Sequence, residues 1–124
     1  MTNEEIARRG FEAVLSGDLE AVKEFLDPDV KWHGGDPDAP GACRNRQQAL
    51  RFMGRAGENR RIGELVDVKA AGDKVVVIIR PRGAERDASA GLTANLTTFR
   101  DGKAVEMVHY AQVDDALAAL SRSD

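Results

Sequence analysis

One histidine of the chain occurs in a sequence pattern that would allow its side chain to accept and donate a proton. His109 occurs in the segment VEMVHY, where alternation along a strand gives it the same face as Val105 and Met107. That face is otherwise apolar, and an imidazole directed into an apolar cavity can exchange a proton near neutral pH. Two other interpretations stay open: a neutral imidazole hydrogen-bonded to a backbone carbonyl, and an imidazole at an interface between subunits.

A tryptophan is the second candidate for a binding role. The run DVKWH alternates Val30 and Trp32 with Lys31 and His33, which predicts a short strand with one apolar face. Residues 34–44 are rich in glycine and proline and are therefore predicted to form a rim loop. A large ring beside such a loop can stack on a flat ligand, although ordinary core packing explains the same pattern. His33 has the opposite parity and is predicted at the surface or the rim.

The single cysteine, Cys43, falls in the same loop. The neighbouring Arg44 could lower its pKa and make it reactive, but most lone cysteines are inert small apolar residues. One cysteine excludes an intramolecular disulfide, and with two histidines it is too little for a zinc site closed by those two residue types. We therefore expect no metal site of that kind, and the hypothesis given below involves no cofactor.

Length and charge narrow the class of protein. The 124 residues suit one domain, 1–124, and 18 basic against 21 acidic residues give a net charge of −3. Residues 44–61 hold six arginines and one acid, a local charge of +5, which we interpret as a solvated, salt-bridged face. Few aromatic residues accompany these arginines, so we do not expect nucleic acid as a partner. The start MTNEEIARRG does not resemble a secretory signal, and no apolar run approaches the ~18 residues of a membrane span, so we expect a soluble, cytoplasmic protein.

Periodicity predicts the elements that must position these side chains. Apolar residues at helical spacing predict one helix up to Gly17, a second from Asp18 to Pro28, and a third ending near Gly57. Thr2 with Glu5, and Asn45 with Gln48, have the spacing of helix caps. Period-two runs then predict strands at about 61–70, 74–81, 91–100 and 103–110, and a short final helix over DDALAALSR that would cover a sheet edge.

This order predicts an α+β fold in which a bent antiparallel sheet wraps helices on one face. The strand containing VVVII is apolar on both faces, and the helices cover only one of them. We therefore expect a homodimer formed through the sheet. The alternative is that VVVII lies under the C-terminal tail.

Three segments together resemble the nuclear transport factor 2-like superfamily, and within it the SnoaL-like group of polyketide cyclases related to ketosteroid isomerase. They are GFEAVLSGDLEAVKEFLDPDVKW, the helix from Gln47 to Met53, and FRDGKAVEMVHYAQVDDALAAL. The resemblance implies a cystatin-like cone with an internal apolar pocket and dimerisation through the sheet. The superfamily includes isomerases, cyclases, dehydratases, epoxide hydrolases and non-catalytic binding modules, so the fold alone does not assign a reaction.

The functional positions of these relatives match only in part. Trp32 stands where the isomerase has its Asp base, and Asp36 a few residues later would need an extended loop to reach the pocket. Asn95, counted back from Phe99, matches a protonated Asp that donates to the developing enolate, and Asn can donate the same bond. The cyclase-like members share a pattern that contains one acid and ends in another. Glu106 matches the first acid, whereas Gln112 stands in place of the last one.

The turn before His109 decides whether His109 and Asn95 share a face. A two-residue Asp-Gly turn pairs Asn95 with Val108, which separates it from His109. A three-residue loop with a bulge at Gly102 pairs Asn95 with Met107, on the same face as His109. The resemblance favours the bulge.

These observations lead to one hypothesis and one alternative. The hypothesis is a small-molecule-binding domain that acts as a cofactor-independent isomerase, cyclase or dehydratase on a small apolar carbonyl compound. His109 would be the base and Asn95 the hydrogen-bond donor. The remaining pocket residues would be Trp32, Phe52, Met53, Phe99 and Met107. The alternative is a non-catalytic ligand-binding or dimerisation module with the same pocket.

Overall fold

Four helices and five strands follow one another in the predicted order within the part of the chain that the computed structural model describes. That part comprises residues 2–36, 38–58 (backbone only for 54–58), 64–80 and 92–121. The elements are α1 (Asn3–Ser16), α2 (Leu19–Phe25), β1 (Leu26–His33), α3 (Arg46–Glu58), β2 (Glu64–Ala71), β3 (Lys74–Arg80), β4 (Thr93–Arg100), β5 (Lys103–Tyr110) and α4 (Val113–Ser121). The strand residues predicted at 61–63, the connection at 82–89 and the arginines at 60 and 61 lie outside the described residues.

The helix caps form where the sequence predicts them. The Thr2 hydroxyl accepts a hydrogen bond from the Glu5 backbone N–H at 3.1 Å, and Asn45 Oδ1 accepts one from the Gln48 N–H at 2.9 Å. These side chains satisfy backbone donors that the first helical turn leaves unpaired. Gly17 ends α1 with a φ of 76°, a left-handed conformation that favours glycine.

The boundary between α2 and β1 differs from the prediction. The helix does not continue to Pro28 but ends at Phe25, and β1 begins at Leu26. β1 is an edge strand whose register shifts between Leu26 and Lys31. A proline is tolerated at such a place because an edge position does not require its missing N–H.

The five strands form one curved sheet in the order β1-β5-β4-β3-β2. Strands β2 to β5 are antiparallel neighbours, as expected, whereas β1 pairs with β5 in parallel. α1, α2 and α3 lie against one face of the sheet, which we call the inner face. Fully buried Val30 and Val75 belong to the core between them.

The centre of the opposite face, the outer face, is covered by α4. This helix packs on the central strands β3 and β4 and not on a sheet edge, so that part of the prediction is wrong. Ala116 and Leu120 of α4 form a second core with Val76, Ile78 and Leu96. The VVVII segment is therefore buried between two layers of one chain, which is the alternative that the sequence left open.

Among the described residues, none of the helices is both long enough and apolar enough to cross a bilayer.

The packing of α4 predicts how two alanines will respond to enlargement. Ala116 is 0% exposed against the sheet, whereas Ala118 of the same helix is exposed. Ala116→Leu should lower the free energy of unfolding by about 1–3 kcal/mol because the added atoms have no space. Ala118→Leu should change it by less than about 0.5 kcal/mol. Urea denaturation of both variants checks this, and equal effects would show that α4 does not pack as described.

Candidate functional site

A cavity of about 560 Å³ lies between the three inner helices and the inner face of the sheet. Its volume is in the range of small-molecule sites. Buried Phe99 and Ala104 lie at the end where β4 turns into β5. At the other end the lining residues Phe52 and His109 are exposed, so the cavity opens there.

The pairing of β4 with β5 brings two candidate residues directly opposite each other. Asp101 and Gly102 form a two-residue turn with φ angles of 54° and 79°, as a type I′ hairpin turn requires. The register then shifts because β5 has one extra residue, Val105, between the partners of Thr98 and Phe99. Beyond this bulge Asn95 pairs with His109.

Both registers that the turn chemistry suggested are therefore wrong. Asn95 is opposite neither Val108 nor Met107, because the bulge lies at Val105 and not at Gly102. Asn95 and His109 nevertheless lie on the same face, since cross-strand partners point to the same side of a sheet. The bulge also removes Val105 from the cavity wall, where Ala104 takes its place.

Asn95 and His109 have polar atoms without a partner in the wall of the cavity. The Thr97 hydroxyl donates to the Asn95 Oδ1 at 3.1 Å. Neither the Asn95 amide NH₂ nor the His109 ring has a hydrogen-bond partner among the described residues. The alternative of His109 bonded to a backbone carbonyl is not observed within that part of the chain.

The other predicted pocket residues also line the cavity. Trp32 and Phe52 form an edge-to-face pair, with ring centroids 4.9 Å apart and planes at 81°. Such a pair is favourable by about 0.5–1.5 kcal/mol beyond its buried area, which holds both rings at the open end. Met53, Phe99 and Met107 are buried in the wall.

Two threonines of the wall were missed by the sequence analysis. Thr93 and Thr97 line the cavity on either side of Asn95, so three successive inward residues of β4 are polar. The signal was available in the segment LTANLTTF, where these three alternate with Ala94 and Leu96. This polar strip is a property of the strand face as a whole, which no single residue of it indicates.

His33, predicted at the surface or the rim, is not at the surface but is buried in the cavity wall beside the rim loop. Its side chain is only 6% exposed, and its Nε2 lies 3.0 Å from the Glu106 carboxylate, 73 residues further along the chain. Its Nδ1 accepts a hydrogen bond from the Gly35 N–H at 3.0 Å, so the Nε2 nitrogen carries the proton and donates to Glu106. Both nitrogens are occupied, and although His33 contributes to the lining, it has no free lone pair for a ligand.

The acidic residues considered by resemblance lie away from the cavity. Asp36 is exposed and accepts from the Asp38 N–H in the loop, and Glu106 pairs with His33. Gln112, which replaces the terminal acid of the cyclase pattern, is exposed next to the start of α4. The described lining contains no Asp, Glu, Lys or Arg. In the described part of the chain, no three His, Cys, Asp or Glu side chains are grouped to hold a metal ion.

The rim loop is joined at its base. Trp32 and Cys43 exchange two backbone hydrogen bonds, N to O at 2.9 and 2.7 Å, and this bridge closes the loop between β1 and α3. Lys31 Nζ adds a bond to the Arg44 carbonyl at 3.1 Å. Gly35 has a φ of 120°, which places its N–H toward His33 and which an L side chain rarely adopts.

Comparisons with known proteins agree with this geometry. The family model described as a SnoaL-like domain matches residues 7–107. No curated protein was found to match the sequence.

Solved structures share the fold over most of their length. A Xanthomonas campestris protein of unknown function with a cystatin-like fold is 26% identical, with coverage of 89% of this chain and 90% of that one and a TM-score of 0.70. An NTF2-like protein of unknown function from Mesorhizobium loti is 22% identical, with 87% and 88% covered and a TM-score of 0.69. A candidate SnoaL-like polyketide cyclase from Jannaschia sp. CCS1 is 21% identical, with 98% and 93% covered and a TM-score of 0.67.

The environment of Cys43 predicts that its thiol reacts slowly. Its side chain is buried in the cavity wall, and burial raises the pKa of the thiol despite the neighbouring Arg44. A raised pKa leaves less thiolate, the reactive form, at any pH below it. Reaction with Ellman's reagent at neutral pH should be more than about tenfold slower in the folded chain than in urea. The folded rate should still rise as pH passes 9.0, the unperturbed pKa; a plateau below that pH would contradict the assignment.

Proposed function

The chain belongs to the family of SnoaL-like domains, and on that premise we propose that it binds a small, uncharged carbonyl compound and moves a proton on it without a cofactor. The family is of the small-molecule-binding, cyclase type. In this proposal His109 is the base and Asn95 is the donor to the carbonyl oxygen. Trp32, Phe52 and the buried wall hold the hydrocarbon part of the ligand.

The pairing of Asn95 with His109 is the observation that carries the proposal. The Cβ atoms of cross-strand partners are about 4.5–5.5 Å apart, so one carbonyl group and its neighbouring carbon can meet both side chains. The His109 imidazole would take a proton from the α-carbon while the Asn95 NH₂ stabilises the negative charge that develops on oxygen. Return of the proton to another carbon of a conjugated ligand gives isomerisation. Loss of a β-hydroxyl group as water, with the proton supplied by His109, gives dehydration. Attack of the carbanion on a second carbonyl carbon, whose oxygen then takes the proton, gives cyclisation.

The composition of the wall supports an uncharged ligand. The described lining has no acidic or basic side chain other than its histidines, and most of its residues are apolar. A charged group buried there would lose its hydration without gaining a partner of opposite charge. The arginines of residues 44–61 therefore have no described role inside the cavity.

A non-catalytic binding protein is the second candidate, and one observation favours it. His109 is exposed at the open end, and no described side chain holds its ring in a fixed orientation. A general base usually needs another group to orient it. In this case Asn95 and Thr93 would only orient a ligand that leaves unchanged.

Proton exchange on a simple ketone tests the catalytic proposal. 2-Acetylnaphthalene is flat and uncharged, and its methyl protons lie next to a carbonyl. In deuterated buffer the protein should accelerate exchange of these protons, observed by proton NMR. His109→Ala should lower the protein-dependent rate by about 100-fold, the size of a positioned proton transfer. Asn95→Leu should lower it by a similar order because one donor to the enolate oxygen is lost.

Tyr110→Phe is the matched control, because Tyr110 follows His109 on β5 but packs in the outer core under α4. Its exchange rate should equal that of the wild type. If 2-acetylnaphthalene binds and none of the variants changes the rate by more than a few-fold, the base role of His109 is wrong and the non-catalytic candidate stands.

A homodimer formed through the sheet is also part of the proposal, although α4 already covers the centre of the outer face. The remaining outer surface lies toward β1 and β5, where Val108 is half-buried. Sedimentation equilibrium should give twice the 13.4 kDa chain mass. Val108→Glu should shift the protein to monomer, and Lys69→Glu on the distant edge strand β2 should not. A wild type that is monomeric at all concentrations would contradict the dimer.

A further inference from the structure

Thr97 occupies a position of the cavity wall from which it contacts Asn95. Its side chain is buried, with 7% of the residue exposed. It lies two residues from Asn95 on the same face of β4, and its hydroxyl donates to the Asn95 Oδ1 at 3.1 Å. The cross-strand neighbours of Thr97 are Val75 and Met107, which have no polar side-chain atom comparable to an amide oxygen.

This contact favours one of the two orientations of the Asn95 amide. A buried hydroxyl proton that lacks an acceptor is unfavourable, and Asn95 Oδ1 is the acceptor that it has among the described residues. If the amide turned over, its NH₂ would face Thr97 and the hydroxyl proton would lose that acceptor. The observed orientation therefore places the oxygen toward Thr97 and the NH₂ on the opposite side of the amide, where it has no hydrogen-bond partner among the described residues.

We propose that Thr97 is a positioning residue, which presents Asn95 to the cavity as a hydrogen-bond donor and thereby selects ligands that carry an uncharged acceptor oxygen. The selection rests on the proposed function, because it assumes that the ligand meets Asn95. The orientation of the amide does not, because it exists in the empty protein. The two parts are tested separately.

The orientation is tested without a ligand by NMR of isotope-labelled protein. In the wild type the Asn95 amide protons should show nuclear Overhauser contacts to the His109 ring and none of comparable strength to the Thr97 side chain. Thr97→Val removes the hydroxyl and should bring contacts between the amide protons and the new methyl groups. Thr97→Ser keeps the hydroxyl and should preserve the wild-type pattern. Strong contacts between the Asn95 amide protons and Thr97 in the wild type would overturn the proposal, whatever the variants do.

The selection is tested with two probes of nearly the same shape. 2-Acetylnaphthalene has a carbonyl where 2-isopropenylnaphthalene has a C=CH₂ group, so only the first offers an acceptor. Thr97→Val should weaken binding of the ketone by about fivefold, the order of one neutral hydrogen bond, and change binding of the hydrocarbon by less than about twofold. Thr97→Ser should bind both as the wild type does. Dissociation constants come from titrations followed by backbone amide shifts.

The outcomes separate the two proposals. If Thr97→Val weakens both probes equally, Thr97 has only a packing role and the selection is wrong. If the ketone alone is weakened but His109→Ala leaves proton exchange unchanged, the positioning role stands and the catalytic proposal fails. If neither probe binds the wild type at its solubility limit, the selection is wrong for this class of ligand, while the orientation is still decided by the ligand-free spectra.

Discussion

The pairing of β4 with β5 determines which side chains of both strands face the cavity. Because successive side chains point to opposite faces, a shift of one residue exchanges the inward and outward sets. The single extra residue at Val105 makes that shift between the turn and the open end of the cavity. Near the turn it leaves Ala104 opposite Phe99 in the closed end, and beyond the bulge it sets Met107 and His109 into the wall.

Local patterns in the sequence were sufficient for most elements, and the failures have physical causes. Capping residues and apolar periodicity act within a few residues, so α1, α3 and strands β3 to β5 follow from them. The bulge could not be placed because Val105 is an ordinary apolar residue, whereas Gly102 is of the residue type that a bulge with a left-handed residue favours. His33 is paired with Glu106, a partner on another strand that no local pattern indicates.

In the candidate site, too, the local properties of the residues could be predicted from the sequence and their long-range arrangement could not. All seven residues expected in the pocket line the cavity, since parity on a strand and the stripe of a helix are local properties. Their mutual arrangement is not local, and the opposition of Asn95 and His109 arises from pairing across strands. The two histidines illustrate the difference: one has both nitrogens occupied by Glu106 and Gly35, whereas the other has no described partner. Residue type alone does not separate these environments.

The bridge between Trp32 and Cys43 has a consequence for how such a protein can diversify. Because two short backbone bonds join the ends of the rim loop, the segment between them can lengthen or change its side chains without displacing β1 or α3. The entropic cost of a longer closed loop grows only slowly with its length. A lineage built on this scaffold can therefore acquire new ligand preferences by insertions in one surface segment, while the wall that bears Asn95 and His109 is inherited intact.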